Sequence, residues 1–421
     1  MTIGHYAAVA LQDTADTWRH GAVFLLRNAP RMNAEVTLDD GWTATVLEGM
    51  KAVIVRGPAV LTSCDQTHSA ALRAANNALD YMCVRGLCDS AIRDDFDDCL
   101  VWWPDPAGGV TLRLRMVHTR AKAISVTLAV TDADGKVVLQ PPTPPITAAQ
   151  HDAFRFIRMS RTSEYLFDSY RNMFLALERL LSDIRPRAMH PNGKPAESEK
   201  DWFTAALKQA DALVPVAKLA PPGEKKAIDW VYTNMYCVER SGLMHAKPGR
   251  YHLPQNDAGR ADLRKSLNTL SEYVSELVSV HRGIQRGHSG IYASGWQYFT
   301  TPFFEHMLLV IADKELPTTT AWDNETDEMV LSNYVVDEPK QGGPPVAEES
   351  MLITKTVAVE ASQLSSSEIH TIAVVGPFLH GRLILSSELS GPMTLGTSIS
   401  QLEVIVGLRN LNVADMPHFS A

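Results

Sequence analysis

The proline run PPTPP at 141–145 constrains the fold of this chain more than any other stretch. Proline lacks a backbone N–H group and restricts the residue before it, so neither a helix nor an interior strand continues through such a run. Before the run, β-branched and large apolar residues cluster in short segments such as 22–27 and 51–57. After it, apolar residues recur at helical spacing. The run therefore predicts a domain boundary.

The front part, residues 1–145, combines one helical stretch with several extended ones. Alanine-rich sequence from about Thr67 to Arg85 has apolar residues at helical spacing, and Gly86 supplies the stop. The predicted strands that follow this helix are 99–103, 110–117 and 124–130. Asp134-Gly135 predicts a hairpin turn. We therefore expect an N-terminal α+β module with an antiparallel sheet.

The middle part, residues 146–312, predicts a central all-α bundle. Its first helix is expected to run from about 148 to 184, because the apolar residues Leu166, Tyr170, Phe174, Leu177 and Leu181 lie on one helical face. Three further amphipathic helices are predicted around Trp202–Leu213, 228–247 and Leu263–Leu277, and four such helices with short connections favour a bundle. The glycine-rich stretch 281–302 is predicted to be irregular.

The last part divides into an acidic connector, 313–350, and a small C-terminal β-rich module, 351–421. Between Glu305 and Glu349 there are eleven Asp and Glu residues against two lysines. After Met351 apolar residues alternate again, as in strands. The sequence thus predicts a multidomain α+β protein in which the helical middle part is flanked by two β-containing modules.

Composition narrows the functional classes. A formal net charge of −9 argues against a general nucleic-acid coat, because non-specific binding depends on phosphate neutralisation by Lys and Arg, so any RNA contact must be local. The five cysteines form no CxxC pair and indicate neither a disulfide framework nor a zinc site. No signal peptide or membrane-spanning run is evident, so we expect a soluble cytoplasmic protein without membrane contact.

The stretch 228–247 carries the residues best suited to chemistry, Glu239, Arg240, Ser241 and His245. Neutral pH allows a histidine to hold or release a proton, whereas an arginine stays charged and binds phosphate through two N–H groups. Arg-x4-His is a weak pattern alone, and this chain has four matches to Arg-x4–6-His. The other three are Arg113/His118 on a predicted strand, Arg185/His190 across a proline, and Arg282/His288 among glycines. Only Arg240/His245 ends a predicted helix before a basic loop.

These residues carry a family resemblance. Residues 148–282 resemble a HEPN domain, whose signature is Arg-x4–6-His near the end of its third or fourth helix, and ERSGLMHAK at 239–247 looks like that signature. The stretch SYRNMFLALERLLSDI at 169–184 is similar to the first long helix of Apea-like HEPN proteins. The arrangement of the front and middle parts also resembles proteins labelled methylamine-utilisation MauJ.

The resemblance implies a metal-independent endoribonuclease that acts as a homodimer in a toxin or phage-defence setting. His245 would then be the general acid/base for attack by a ribose 2′-OH, and Arg240 would stabilise the growing phosphate charge. Ser241, which stands where active members commonly have Asn, Asp or His, would hydrogen-bond the phosphate. Three further residues are expected to bind substrate or orient Arg240 on this interpretation, together with Glu239: Glu178, Lys247 and Arg250.

Two other interpretations remain open. Arg240 and His245 could cap a helix C-terminus, where cations are favoured by free carbonyl groups. The helical part could also be a non-catalytic scaffold that binds a nucleotide or a partner, as a MauJ-like accessory protein would, and Ser241 and the acidic net charge motivate this alternative. The flanking modules are expected to bind a trigger or a regulatory protein. No metal cluster or dinucleotide fingerprint is evident, so no cofactor is expected.

Overall fold

Strands from both ends of the chain pair in one nine-stranded sheet in the computed structural model of the protein. The chain divides into two compact units, the first formed mainly by Met1–Ala121 and Tyr292–Leu411, the second mainly by Lys122–Ile291. The structure describes residues 3–12, 19–58, 61–120, 150–163, 165–244, 259–284, 293–313, 321–322, 335–337, 345–349, 352–360, 364, 368–378, 381–389 and 391–410.

Most strands of the first unit come from the front and the end of the sequence. The strands are β1 Gly4–Tyr6, β2 Val9–Ala10, β3 His20–Leu26, β4 Ala34–Thr37, β5 Thr43–Val46, β6 Ala52–Gly57, β7 Ile92–Pro104, β8 Val110–Arg120, β9 Leu308–Ala312, β10 Ala321–Trp322, β11 Val335–Asp337, β12 Val346–Glu349, β13 Leu352–Glu360, β14 Glu368–Ile369, β15 Thr371–Phe378, β16 Gly381–Ser386, β17 Met393–Leu395 and β18 Ile399–Asn410.

The helices are distributed over both units. They are α1 Cys64–Val84, α2 Asp152–Thr162, α3 Leu166–Ile184, α4 Glu199–Ala210, α5 Ala227–Trp230, α6 Ser241–Met244, α7 Arg260–Arg282 and α8 Ala293–His306, with a 3-10 turn at Val216–Leu219 and a π-helical segment at Val231–Arg240.

The nine-stranded sheet has the order β12-β13-β18-β8-β7-β3-β6-β5-β4. Its pairs are antiparallel except for β18, which lies parallel to β8 with Val404 opposite Leu114. All residues of β3 and β6 are buried, as expected where both faces of a sheet are covered. Helix α1 packs on one face, with Ala71 and Ala75 in the same core as Phe24 and the inner strands.

Two smaller sheets complete the strand pairing among the described residues. One has the order β10-β16-β15-β9-β11 and the other the order β14-β17-β1-β2. In the second of these, β1 near the N-terminus pairs with β17, so that Gly4 lies opposite Leu395. Strands far apart in sequence therefore pair in this small sheet as they do in the large one.

The predicted fold class is wrong. A central all-helical bundle between two separate β-containing modules was expected, but the molecule is mixed α/β, and its front and end strands share sheets instead of forming two modules. The parallel pairing of β8 with β18 joins segments about 290 residues apart, as the ion pair between Arg113 and Glu403 illustrates. Local hydrophobic periodicity identifies strands but carries no information on such distant pairing.

Several local predictions are confirmed. The helix expected over 67–85 is α1, and Gly86 follows it with φ of 69°, a left-handed conformation that glycine adopts at little cost. Strands predicted at 22–27, 51–57, 99–103 and 110–117 correspond to β3, β6, β7 and β8. The expected strand 124–130 and the hairpin at 134–135 lie outside the described residues.

Two local predictions are wrong. The single helix expected from 148 to 184 is two helices, because Ser163 takes an extended conformation and α2 folds back on α3. Reciprocal hydrogen bonds hold this return: Ser160 Oγ and Ser169 Oγ each donate to the other's carbonyl oxygen at 2.8 Å. The irregular region expected at 281–302 contains the start of α8, where burial of Trp296 outweighs the weak local helix preference.

The second unit has its own hydrophobic core. Buried side chains from α3, α4 and α7 meet there with Val231 and Met235 of the π-helical segment. Phe174 and Phe203 stack at 6.0 Å between ring centroids, and Tyr236 packs edge-on against Phe174 at 5.9 Å. This aromatic cluster contacts Arg240, whose guanidinium lies over the rings of Phe174 and Tyr236.

Candidate functional site

The candidate site begins with an unusual helical geometry. Residues Val231–Arg240 form a π-helix, and the backbone N–H of Ser241 donates to the carbonyl of Tyr236, five residues earlier. π-Helical geometry is rare and occurs frequently at functional sites. Tyr232 and Tyr236 stack at 5.4 Å with their planes 19° apart, so the segment presents two parallel rings before Arg240. The helix predicted over 228–247 therefore has π-helical hydrogen bonds over Val231–Arg240, in place of the α-helical pattern that periodicity indicates.

Arg240 is held between a carboxylate and an aromatic face. Its Nη2 lies 3.2 Å from Oε1 of Glu178 on α3, and its Cζ lies 4.6 Å from the ring centroid of Tyr236. The ring centroid of Phe174 lies 5.9 Å from the same Cζ. The Arg240 side chain is 22% exposed, so the guanidinium is oriented by the protein and still reaches solvent. Such an arrangement suits recognition of an anionic group through two parallel N–H donors.

Burial changes the acid–base properties around Arg240. Desolvation raises the pKa of Glu178 above its ordinary value, and the nearby Glu199 adds to this effect, whereas Arg240 opposes it. The pKa of Tyr236 is raised well above its ordinary range, mainly by burial. The ionised form of Glu178 therefore depends on Arg240, and the two side chains act as one charge pair.

Glu239 fixes the end of the π-helix to two other helices. The Tyr170 hydroxyl on α3 donates to its Oε2 at 2.5 Å, and the Ser266 hydroxyl on α7 donates to its Oε1 at 2.7 Å. Burial and the adjacent Glu239 raise the pKa of Tyr170 well above its ordinary range, so this hydroxyl remains a donor. Glu239 thus anchors the backbone from which Arg240 projects.

The structure places the predicted site residues in two groups. Arg240, Ser241, Glu239 and Glu178 lie together at the junction of α3, α7 and the π-helix. Ser241 is half-buried and begins α6. The residues His245, Lys247 and Arg250 lie outside the described residues.

Two tyrosines at the site were not identified from the sequence. Tyr236 lies against the guanidinium of Arg240, and Tyr170 holds Glu239. A signal was present for Tyr236, because it precedes Arg240 by four residues and side chains at that spacing lie close on a helix. The sequence indicates only a core position for Tyr170, because the partner of its hydroxyl, Glu239, lies on another helical segment.

The arginines of the other three Arg-x4–6-His matches are also ion-paired. Arg113 binds Glu403 across two strands at 2.7 Å, Arg185 binds Glu197 at 2.9 Å, and Arg282 binds Asp183 at 3.2 Å. An ion pair therefore does not distinguish Arg240. Packing on an aromatic ring does not distinguish it either, because the Cζ of Arg113 lies 5.0 Å from the ring centroid of Trp103. The position of Arg240 does: it ends a π-helix and directly precedes Ser241.

No protein-family model, curated protein or solved structure matches the chain. None of the described helices is long and apolar enough to cross a membrane. Within the described ranges, no three His, Cys, Asp or Glu side chains are grouped so that they could hold a metal ion.

Proposed function

We propose that the protein is a metal-independent endoribonuclease, acting as a cytoplasmic homodimer in a toxin or phage-defence role. Arg240 stabilises the phosphate charge that grows in the transition state, and His245 acts as general acid/base for attack by the neighbouring ribose 2′-OH. Ser241 donates a hydrogen bond to the phosphate. The resemblance of 239–247 to the HEPN signature motivates this function.

One observation carries the proposal most directly. The Arg240 guanidinium is oriented by the Tyr236 ring and by Glu178 and remains partly exposed. Orientation before substrate arrives avoids reorganisation during the reaction, which is the main source of electrostatic catalysis. Glu178 competes with the phosphate for Arg240, and its raised pKa reflects a carboxylate that is costly to keep ionised in this partly buried place.

The proposal is tested by incubating purified protein with RNA in the presence of EDTA. Wild-type protein should cut RNA, and Arg240→Ala and His245→Ala should each lower the rate by at least about a hundredfold, the usual effect of losing such a group. His190→Ala is the matched control, since His190 belongs to another Arg-x4-His match and is exposed. Cleavage that requires magnesium, or that survives both site changes, would reject the proposal.

A second candidate function is favoured by the Glu178–Arg240 ion pair. Because the charge of Arg240 is already balanced within the protein, the site could serve as a non-catalytic nucleotide- or partner-binding scaffold, including a MauJ-like accessory protein. Calorimetric titration with a mononucleotide distinguishes the two. Binding that is lost in Arg240→Gln, in a protein that leaves RNA intact, would favour the scaffold.

A further inference from the structure

The outer face of α2 carries two arginines that have no partner among the described residues. Arg155 and Arg158 are both exposed and lie three residues apart on the helix. Neither has an ion pair or hydrogen bond to any side chain in the described part of the chain. Side chains at this spacing project from the same face with Cβ atoms about 5–6 Å apart. The two guanidinium groups are therefore free to bind an external anion.

This freedom sets the pair apart from other arginines of the second unit. There, arginines are repeatedly neutralised by a carboxylate: Arg171 by Asp168, Arg179 by Asp152, Arg185 by Glu197, Arg240 by Glu178 and Arg282 by Asp183. No described carboxylate neutralises Arg155 or Arg158 in this way, so these two adjacent arginines form a local positive patch. Residues 150–163 contain three arginines and one aspartate, whereas the whole chain has a net charge of −9.

The inner face of α2 is not available for insertion into a membrane. Phe154, Phe156 and Ile157 pack against the core of the second unit and cannot insert into lipid. Met159, 44% exposed, is the large apolar side chain on the outer face. A helix that lies on a bilayer needs a continuous exposed apolar face as well as cations. The outer face of α2 therefore attracts ligands by the charge of its arginines. A polyanion with regularly spaced charges is the class of ligand that this attraction favours.

We propose that the outer face of α2, through Arg155 and Arg158, binds the phosphate backbone of the RNA substrate. This surface lies outside the Arg240 site and contacts phosphates by charge, without reading bases. The inference rests on the proposed function, because it names a second contact with the same class of substrate. A local positive patch at Arg155 and Arg158 also explains how a protein with a net charge of −9 binds RNA.

The test measures binding without cleavage. A fluorescein-labelled, fully 2′-O-methylated single-stranded RNA of about twelve nucleotides, a length typical of single-strand sites, lacks the attacking hydroxyl. Its affinity for full-length protein is measured by fluorescence anisotropy at several salt concentrations. The test variant is Arg155→Gln/Arg158→Gln. The matched control is Lys225→Gln/Lys226→Gln, which removes the same charge from exposed residues of the same unit.

Loss of two phosphate contacts should lower the magnitude of the slope of log affinity against log salt by about 1.4, since each single-strand contact contributes about 0.7. At 0.1 M salt the test variant should bind on the order of 25-fold more weakly by the same relation, and the control should bind as wild type does. Equal affinity and slope in wild type and the test variant would overturn the inference, as would equal weakening in both variants.

Two further measurements separate this inference from the proposed function. Binding to phosphatidylserine vesicles that falls in the test variant while RNA binding stays unchanged would assign the patch to membranes and overturn the inference. If α2-dependent RNA binding is found but no 2′-hydroxyl RNA is cut, the inference stands and the proposed nuclease activity fails. Arg240-dependent cleavage with an unchanged KM in the test variant would reject the patch and retain the nuclease.

Discussion

At the scale of single residues, His20 shows how burial alone sets a chemical property. It begins β3, is 1% exposed and packs edge-on against Trp42, with ring centroids 5.3 Å apart. Its Nε2 has no hydrogen-bond partner among the described atoms. Desolvation of the imidazolium lowers the pKa of His20 from 6.5 to about 4. The folded first unit therefore holds this histidine neutral.

This shift predicts acid sensitivity. Below pH 6.5 His20 binds a proton in the unfolded chain, whereas in the folded chain it stays neutral down to about pH 4. Protonation therefore favours the unfolded chain, and stability is lost as the pH falls from 6.5 to about 4. The loss is at most about 3 kcal/mol, from about 1.4 kcal/mol for each pKa unit. In urea unfolding between pH 7 and pH 4, His20→Phe should lose less stability than wild type by this amount. His190→Ala, at an exposed histidine, should follow wild type, and a His20→Phe curve parallel to wild type would contradict the prediction.

At the scale of elements, the π-helical segment is fixed at its C-terminal end by Glu239. A carboxylate that accepts hydrogen bonds from α3 and α7 at once fixes where the segment ends and hence where Arg240 and Ser241 lie. Hydrogen bonds to a charged group contribute about 1.5–3 kcal/mol each, more than neutral ones. The register of the segment therefore depends on contacts between helices.

Removing one donor tests this anchor. Tyr170→Phe keeps the ring in the core but deletes the hydroxyl that binds Glu239, and it should destabilise the second unit by about 1.5–3 kcal/mol in urea unfolding. Tyr273→Phe is a matched control, because the Tyr273 hydroxyl donates at 3.2 Å to the neutral carbonyl of Val214 and should cost only about 0.5–1.5 kcal/mol. If both changes cost the same, Glu239 is not a charged anchor.

The elements also show where sequence patterns were sufficient. Helix α1 was predicted because its signals are local: alanines at helical spacing, and Gly86 at its end. The break between α2 and α3 was missed, because Ser160 and Ser169 form it through mutual hydrogen bonds after the chain reverses. The sequence suggests Glu178 as a residue that orients Arg240, and the two form an ion pair. The hydrogen-bond partners of Glu239 come from two other helices and leave no local signal.

At the scale of the whole molecule, the first unit depends on strands from both ends of the chain. β18 lies between β13 and β8, and Arg409 of β18 forms a buried ion pair with Asp97 of β7. Breaking a buried pair by removing one partner typically costs about 3–5 kcal/mol, because the other charge is left uncompensated. The C-terminal strands are therefore part of the core that the N-terminal strands need.

Truncation distinguishes this architecture from separate modules. Removing 351–421 deletes β13 and β18 and exposes the edge of β8, so the first unit should fail to fold, as judged by near-ultraviolet circular dichroism and loss of slow amide hydrogen exchange in β3 and β6. Ending the chain after Asn410 keeps every strand of the sheet and serves as the control. Retained protection of β3 and β6 in the shorter chain would indicate an independent N-terminal module.

The sequence by itself determined α1 and the strands β3, β6, β7 and β8, and it singled out Arg240, since helix and strand periods, glycine stops and a motif at a helix end are properties of neighbouring residues. Only the tertiary structure decided that β8 pairs with β18 and that Glu239 accepts hydrogen bonds from α3 and α7. It also decided that no residue in the described ranges pairs with Arg155 or Arg158. Each of these depends on which distant side chains meet. Such long-range contacts are determined by the free energy of burying apolar strands against one another, which is not a property of any short segment of the sequence.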